Sequence, residues 1–370
     1  MASETPFDPC ESEEVAACVR DMAGAGPPLV SRIHPADEMY RFELAVPRRS
    51  PETAAVWYFA AARGIFRAAS AVVAWRFGGW DRVGSFLDFA SGYGRATRFF
   101  ARSLPPSRIT AAEIDPGAVR FQEEAFGVRG RVSASSPEAL ELPGRFDVVL
   151  AVSLFSHLPA GRFEAWLASL YGLVADGGIL VFSTHGPQLL PDGETASPSG
   201  ITFRPESETR RLDGSEYGTS WVTPDFVRAA AGRAGVPGEH LRDFPCGLCG
   251  YQDLYVLPKA PDRSPVALRL PREPWGVLEW AKVENGVVNA RGWAAGDRHE
   301  RPPDVTLSFG ATLRERSEGR GPAGVRREWD FTFPVSALPP DRIVRIEAVS
   351  AQGAPRLLVA ETLRPYLSAR

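Results

Sequence analysis

Between Tyr58 and Val73 the apolar positions fall at Tyr58, Ala61, Ala62, Ile65, Ala69, Val72 and Val73. That spacing is one face of a long amphipathic helix. Ser50 before Pro51 offers an N-cap with proline at the first helical position, and the Gly78–Gly79 pair offers a stop. After it the pattern becomes short apolar runs that alternate with helical segments. "SFLDFA", "RITAAEI", "RGRVSA", "FDVVLAVS" and "GGILVFST" read as strands. "GRATRFFARSL", "PGAVRFQEEAFG", a short piece near "SPEALEL", and "AGRFEAWLASLYGLV" read as the helices between them. Such a βαβ rhythm implies a doubly wound parallel sheet, covered on both faces.

The rhythm pauses after Thr184 for a long polar stretch without clear periodicity, residues 186–222, which reads as a lid insert. It resumes with a helix in "TPDFVRAAAGRAG" and strands around "EHLRDF" and "YQDLYVL". A proline-rich, charged segment, 259–271, has the composition of a linker. From 272 to 370 the chain consists of short alternating runs broken by turn residues, with "ENG" as a hairpin signal. This predicts an all-β sandwich module after an α/β domain spanning 81–258. Residues 1–80 are left as an N-terminal leader, loose as far as residue 30, and a helical cap.

Composition narrows the function classes. The 370 residues are 44% hydrophobic and 24% charged, as in an ordinary globular chain. A net charge of −3 and scattered arginines give no basic stripe, so no nucleic acid is expected as partner. No apolar stretch reaches the 18 residues of a membrane span, and the acidic N-terminus does not resemble a signal peptide. Four cysteines make no disulfide framework, so the expected location is cytoplasmic. Cys246 and Cys249 form one "CGLC" pair, with Cys10 and Cys18 far away in sequence, and no metal is expected.

The candidate chemistry begins at "LDFASGYGR". In an open α/β sheet, ligands bind outside the carboxyl ends of the strands at the switch point. Asp88 closes the first strand there. Gly92 and Gly94 let the backbone turn without a Cβ in the way, and a helix from Arg95 would aim its N–H groups at the site. Roughly 20 residues further on, an acid that grips ribose hydroxyls is expected, and Glu113 closes the second strand. A nicotinamide dinucleotide and S-adenosylmethionine both fit this order of elements. Thr97 stands where the dinucleotide pattern has its third glycine. An acidic Asp88 sits badly against a pyrophosphate but suits the ammonium of a methionine moiety. Charge therefore favours S-adenosyl-L-methionine.

"LDFASGYGR", "ITAAEIDP", "FDVVLAVSLFSHLP" and "LVADGGILVFSTHG", in that order, resemble the successive motifs of class I S-adenosylmethionine-dependent methyltransferases. "SEYGTSWVTPDFV" and "YQDLYVL" are similar to a bacterial subgroup of them. The resemblance runs from about Pro35 to Leu257 and implies a seven-stranded Rossmann-like sheet whose last strand is antiparallel. It places Asp88, Ala90, Gly92 and Gly94 against the methionine part and Glu113 at the ribose. Ile114 would pack on the adenine, Ser135 or Ser136 would lie near its edge, and Ser153 would lie by the sulfonium. Ala90 departs from the family, which often has its first glycine there.

Methyl transfer needs in-line positioning, and an oxygen acceptor also loses a proton to a base. His157 follows the fourth strand and His185 the fifth, both on the ligand edge, and both are candidate bases. Tyr217, Phe203 and Trp221 are candidates to line the acceptor pocket. The chain lacks the Asn/Asp-Pro-Pro-Tyr/Phe motif of enzymes that methylate base nitrogens, so the expected acceptor is a small molecule, a glycan or a lipid-linked group. "ARGWAA" is similar to a Gly-Trp-Ala signature in small β-sandwich modules of bacterial sugar-modifying enzymes. It makes Trp275, Trp280 and Trp293 candidates for carbohydrate contact. The rival readings are a non-catalytic S-adenosylmethionine-binding scaffold and an NAD-dependent oxidoreductase.

Overall fold

The computed structural model describes residues 11–47, 49–206, 213–261, 267–296, 299–337 and 342–362. Cys10, part of the lid insert and part of the 259–271 linker lie outside them. The chain divides into two compact units, residues 65–270 and residues 1–64 together with 271–370. No helix among the described residues is long and apolar enough to cross a membrane.

Residues 65–270 hold a seven-stranded sheet. Its strands are β1 (Phe86–Phe89), β2 (Ile109–Glu113), β3 (Arg129–Val132), β4 (Phe146–Ala151) and β5 (Val174–Thr184), then, after a lid hairpin, β8 (Arg242–Leu248) and β9 (Gln252–Pro258). The order is β3-β2-β1-β4-β5-β9-β8. The first five are parallel and β9 runs antiparallel to β5. The chain winds outward from β1 to β3, then crosses back to β4 on the other side of β1. The switch point therefore lies between the carboxyl ends of β1 and β4.

Burial on both faces explains why β1 and β4 read as continuous apolar runs. Leu87, Phe89, Val149, Ala151 and Phe182 pack against Phe163, Trp166, Leu167 and Leu170 of α6 (Ala160–Gly172). α5 (Pro116–Phe126) is capped by Asp115, whose side chain accepts the Gly117 N–H, and ends at Gly127 with φ 68°. The helix expected from Arg95 is shorter than its sequence suggests. α4 covers only Thr97–Phe100, with Ala96 as its cap. Gly92 and Gly94, with φ of 56° and 75°, carry the chain through a tight turn that delays the helix. A first helical bond, Arg98 N–H to the Gly94 carbonyl, nonetheless spans Arg95, so the segment is a short, irregular turn of helix.

The lid contains an antiparallel hairpin, β6 (Ile201–Arg204) with β7 (Thr219–Val222). α7 (Pro224–Arg233) follows, with Thr223 as its N-cap.

In the other unit the C-terminal strands form two antiparallel sheets. One has β10 (Trp275–Glu284), β11 (Val287–Ala295) and β14 (Arg327–Pro334). The other has β12 (Asp304–Phe309), β13 (Thr312–Ser317), β15 (Val344–Val349) and β16 (Pro355–Glu361). Their inner faces share one core that includes Ala294, Leu307, Trp329, Phe331 and Ile346. Asn285 and Gly286, at φ 51° and 76°, make the hairpin turn that "ENG" announces.

The expected loose leader is instead a packed helix, α1 (Glu13–Ala23), with Val15, Cys18, Val19 and Met22 buried along one stripe. Asp21 on it accepts a hydrogen bond from buried Arg345. α2 (Glu38–Ala45) is capped by Asp37, whose other oxygen accepts the Tyr58 hydroxyl at 2.6 Å. Tyr58 lies on α3 (Pro51–Phe77) and is buried in the core. Ser50 and Thr53 cap α3 reciprocally, and Arg63 on it pairs with Glu347 at 2.7 Å. Residues 1–64 thus group with the sandwich, where a separate leader and cap was expected.

Candidate active site

The turn after β1 is built from backbone conformations that few residues adopt. Ala90 (φ 56°), Gly92 and Gly94 are all left-handed. Holding alanine there costs about 1 kcal/mol, the penalty a glycine at this position avoids. A Cβ on Gly94 would meet Phe126 at 2.4 Å and Gln122 at 2.9 Å, so this glycine is required by packing. A Cβ on Gly92 would meet nothing within 4 Å. One glycine fills the fold and the other faces open space at the switch point, where a ligand can approach the main chain.

Glu113 is tied into the same turn. Its Oε2 accepts the Gly92 N–H at 2.8 Å, and its Oε1 accepts the Ile114 N–H at 2.7 Å and the Asp115 N–H at 3.4 Å. Burial pushes its pKa upward against these three donors. Asp88 is buried at the end of β1 and accepts the Thr97 hydroxyl at 2.7 Å. Loss of water raises its pKa to about 7, opposed by the Thr97 bond and reinforced by the Glu113 charge. A carboxylate so placed gains most from a cation. Asp88, Ala90, Gly92 and Gly94 thus lie at the end of β1 and in its turn, and Glu113, with Ile114 beside it, is bonded to that turn at Gly92, whereas Ser135 and Ser136 follow β3.

On the β4 side, Ser153 is left-handed (φ 62°) and donates its N–H to Ser183 Oγ at 2.8 Å. His157 is buried, and its Nδ1 lies 2.7 Å from the Gly218 carbonyl oxygen, which fixes Nδ1 as the protonated nitrogen. Its ring stacks on Tyr217 with centroids 4.7 Å apart. The His185 ring lies 6.1 Å from that of His157, and its buried Nδ1 has no hydrogen-bond partner. Burial, helped by the His157 charge, lowers its pKa to about 4, so it is neutral at pH 7.

The lid hairpin is stitched to both histidine segments. Gly218 N–H donates to the His157 carbonyl, Ser220 N–H to Ser156 and Val222 N–H to His185. Trp221 Nε1 donates to the Leu189 carbonyl at 2.8 Å. Tyr217 and Trp221 therefore stand beside the histidines.

Two residues were not singled out in the sequence. Gln122, fully buried on α5, donates to Ser91 Oγ and the Gly92 carbonyl, both at 2.8 Å, and clamps the turn. Gln252, at the start of β9, binds Ser153 and Ser183. The available signal was a glutamine in an otherwise apolar stripe of α5 and another opening an apolar strand.

Residues 87–180 match the family model described as the methyltransferase domain. With the observed strand order, that match supports a methyltransferase domain in this unit. S-adenosyl-L-methionine is the cofactor of that family. A probable fatty acid methyltransferase of Pseudomonas putida is 30% identical over 104 residues, covering 27% of this chain and 26% of the relative. The chain thus matches about a quarter of that curated relative's length. Solved structures of methyltransferases are also similar. An amino pentose methyltransferase of calicheamicin biosynthesis from Micromonospora echinaspora, bound to S-adenosylmethionine, is 19% identical; the match covers 55% of this chain and 97% of that one at a TM-score of 0.39. A 1,6-didemethyltoxoflavin N1-methyltransferase from Burkholderia thailandensis is 21% identical, covering 56% and 81% at a TM-score of 0.37.

Proposed function

We propose that this chain binds S-adenosyl-L-methionine and transfers its methyl group to a hydroxyl of a small-molecule, glycan or lipid-linked acceptor. The observation that carries the reading is buried Asp88 beside a left-handed turn whose Gly92 opens to free space at the switch point. When bound, the cofactor supplies an electrophilic methyl on a sulfonium. Asp88 would hold the ammonium of its methionine part, with the Ala90–Gly94 backbone alongside. Glu113 keeps about one lone-pair site for the ribose, since three of the roughly four on a carboxylate are used. Ile114 and Ser135 face the adenine in this reading, and Ser153 the reacting centre.

His157 is the better placed of the two histidines for a base. The Gly218 carbonyl holds its tautomer, so the basic lone pair is on Nε2. His185, held neutral and far below the usual histidine range, shapes the acceptor side. On the sandwich, Trp275 and Trp280 are exposed on β10, and Trp293 shares their face through its pairing with Val277. We assign any glycan contact to these rings. Soluble glycans should then quench indole fluorescence in wild type and not in Trp280→Ala.

Calorimetry with S-adenosylmethionine, S-adenosylhomocysteine and NAD tests the whole reading. The sulfur ligands should bind wild type and bind weakly to Glu113→Ala. Binding of NAD alone would make the protein an oxidoreductase, and binding without turnover on any acceptor would make it a scaffold. His157→Ala should then lower kcat by about 10²–10⁴ with cofactor affinity unchanged. A fall in cofactor affinity with kcat preserved would remove His157 from the base role.

A further inference from the structure

Gln252 sits on β9, two strands away from the switch point, yet its side chain reaches the end of β4. Its Nε2 donates to Ser153 Oγ at 3.0 Å. Its Oε1 accepts from Ser183 Oγ at 2.7 Å and from Ser153 Oγ at 3.2 Å. Ser183, fully buried on β5, in turn accepts the Ser153 N–H. One amide therefore grips both polar groups of Ser153, directly through the hydroxyl and through Ser183 for the main chain.

Ser153 needs that grip. A non-glycine residue at φ 62° holds strain that the surroundings must over-determine. The turn it starts also leads to the candidate base: Ser156 Oγ donates to the Ser153 carbonyl at 2.8 Å, and His157 N–H donates to Leu154. Gln252 is 9% exposed, and its amide offsets the cost of burial through these bonds to Ser153 and Ser183.

We propose that Gln252 is a positioning residue, which acts through Ser153 to hold the β4 turn against the reacting centre. This rests on the reading of the site as a cofactor site. It predicts that Gln252, Ser153 and Ser183 behave as one unit toward ligand although residues 153 and 252 are far apart in sequence.

The test is calorimetric binding of S-adenosylhomocysteine to full-length wild type, Gln252→Ala, Ser153→Gly and the double variant, with thermal unfolding measured alongside. Gln252→Ala should weaken binding about tenfold. Ser153→Gly removes the hydroxyl that Gln252 holds and relaxes the left-handed strain. Adding Gln252→Ala to it should therefore change affinity less than twofold, a non-additive cycle. Ser183→Ala, which removes the acceptor of the Ser153 N–H, should weaken binding in the same direction and serves if Gln252→Ala does not fold. Full additivity, or wild-type affinity in a folded Gln252→Ala, would overturn the proposal. Absence of binding by wild type would overturn the cofactor reading beneath it.

Discussion

The two halves of the ligand edge are built by different means. After β1 and β2 the site is local to one βαβ unit: an acid lies near the end of each strand, a run of left-handed residues follows β1, and Glu113 reaches back 21 positions to the Gly92 N–H. After β4 and β5 it is assembled from afar. His157 is set by Gly218, Ser153 by Gln252, and His185 lies against a lid hairpin. The first half can be specified by a short motif, and the second needs the whole domain folded. Their buried groups also respond to pH in opposite directions, which allows the halves to be separated experimentally.

Asp88 gives the larger effect. Its pKa in the fold is about 7 against an ordinary 3.8, so the fold favours the protonated carboxyl. That contribution is intact below the ordinary value and is lost as pH rises toward 7. Above pH 7 an ionised Asp88 costs about 4 kcal/mol. Asp88→Asn should therefore be more stable than wild type by up to that amount at pH 8 and nearly equal to it at pH 4, as read by urea unfolding of the ligand-free protein. The same variant should bind S-adenosylmethionine poorly, because it has no charge for the ammonium. An equal stability difference at both pH values would mean that Asp88 does not titrate near neutrality.

His185 should produce the opposite limb. Its pKa in the fold, about 4, lies below the ordinary 6.5, so the neutral ring is favoured. The stability this represents is complete above pH 6.5 and lost as pH falls toward 4, about 3 kcal/mol in all. His185→Leu gives up the ring's hydrogen bond to the Ser220 backbone but removes the buried imidazole, and it should flatten the profile between pH 6.5 and 4. If the acid limb survives in His185→Leu, another group carries it.

This difference also explains what was legible in the sequence. Every strand of the Rossmann-like sheet was visible: β1, β2, β4 and β5 as apolar runs buried in a parallel sheet, and the exposed β3 and the antiparallel pair β8 and β9 from the recurring rhythm of short runs. Asp88, Gly92, Gly94 and Glu113 were visible because strand ends and glycines mark the turn. Gln252 was not, since its role depends on β9 inserting antiparallel beside β5, which pairs Asp253 with Thr184. The helix expected from Arg95 misled because two left-handed glycines delay its start to Thr97. Helix α1 was read as a loose leader because its stripe of Val15, Cys18 and Val19 is short and set in acidic sequence, while the surface it covers lies more than 300 positions away at Arg345.

The smallest effects test the local half most finely, through two glycines one residue apart. Gly94→Ala places a Cβ against Phe126 and Gln122 at a left-handed φ, and the fold should lose about 2–3 kcal/mol. Gly92→Ala carries the backbone penalty alone, about 1 kcal/mol, because its Cβ enters open space. For ligand the order should invert. Gly92→Ala fills the space beside Asp88 and should weaken S-adenosylhomocysteine binding more than Gly94→Ala does, once unfolded protein is accounted for. Urea unfolding and calorimetry on the same two variants give both orders. If the two substitutions ranked the same way in both measurements, Gly92 would be a second packing glycine and the open space beside it would not be where the cofactor lies.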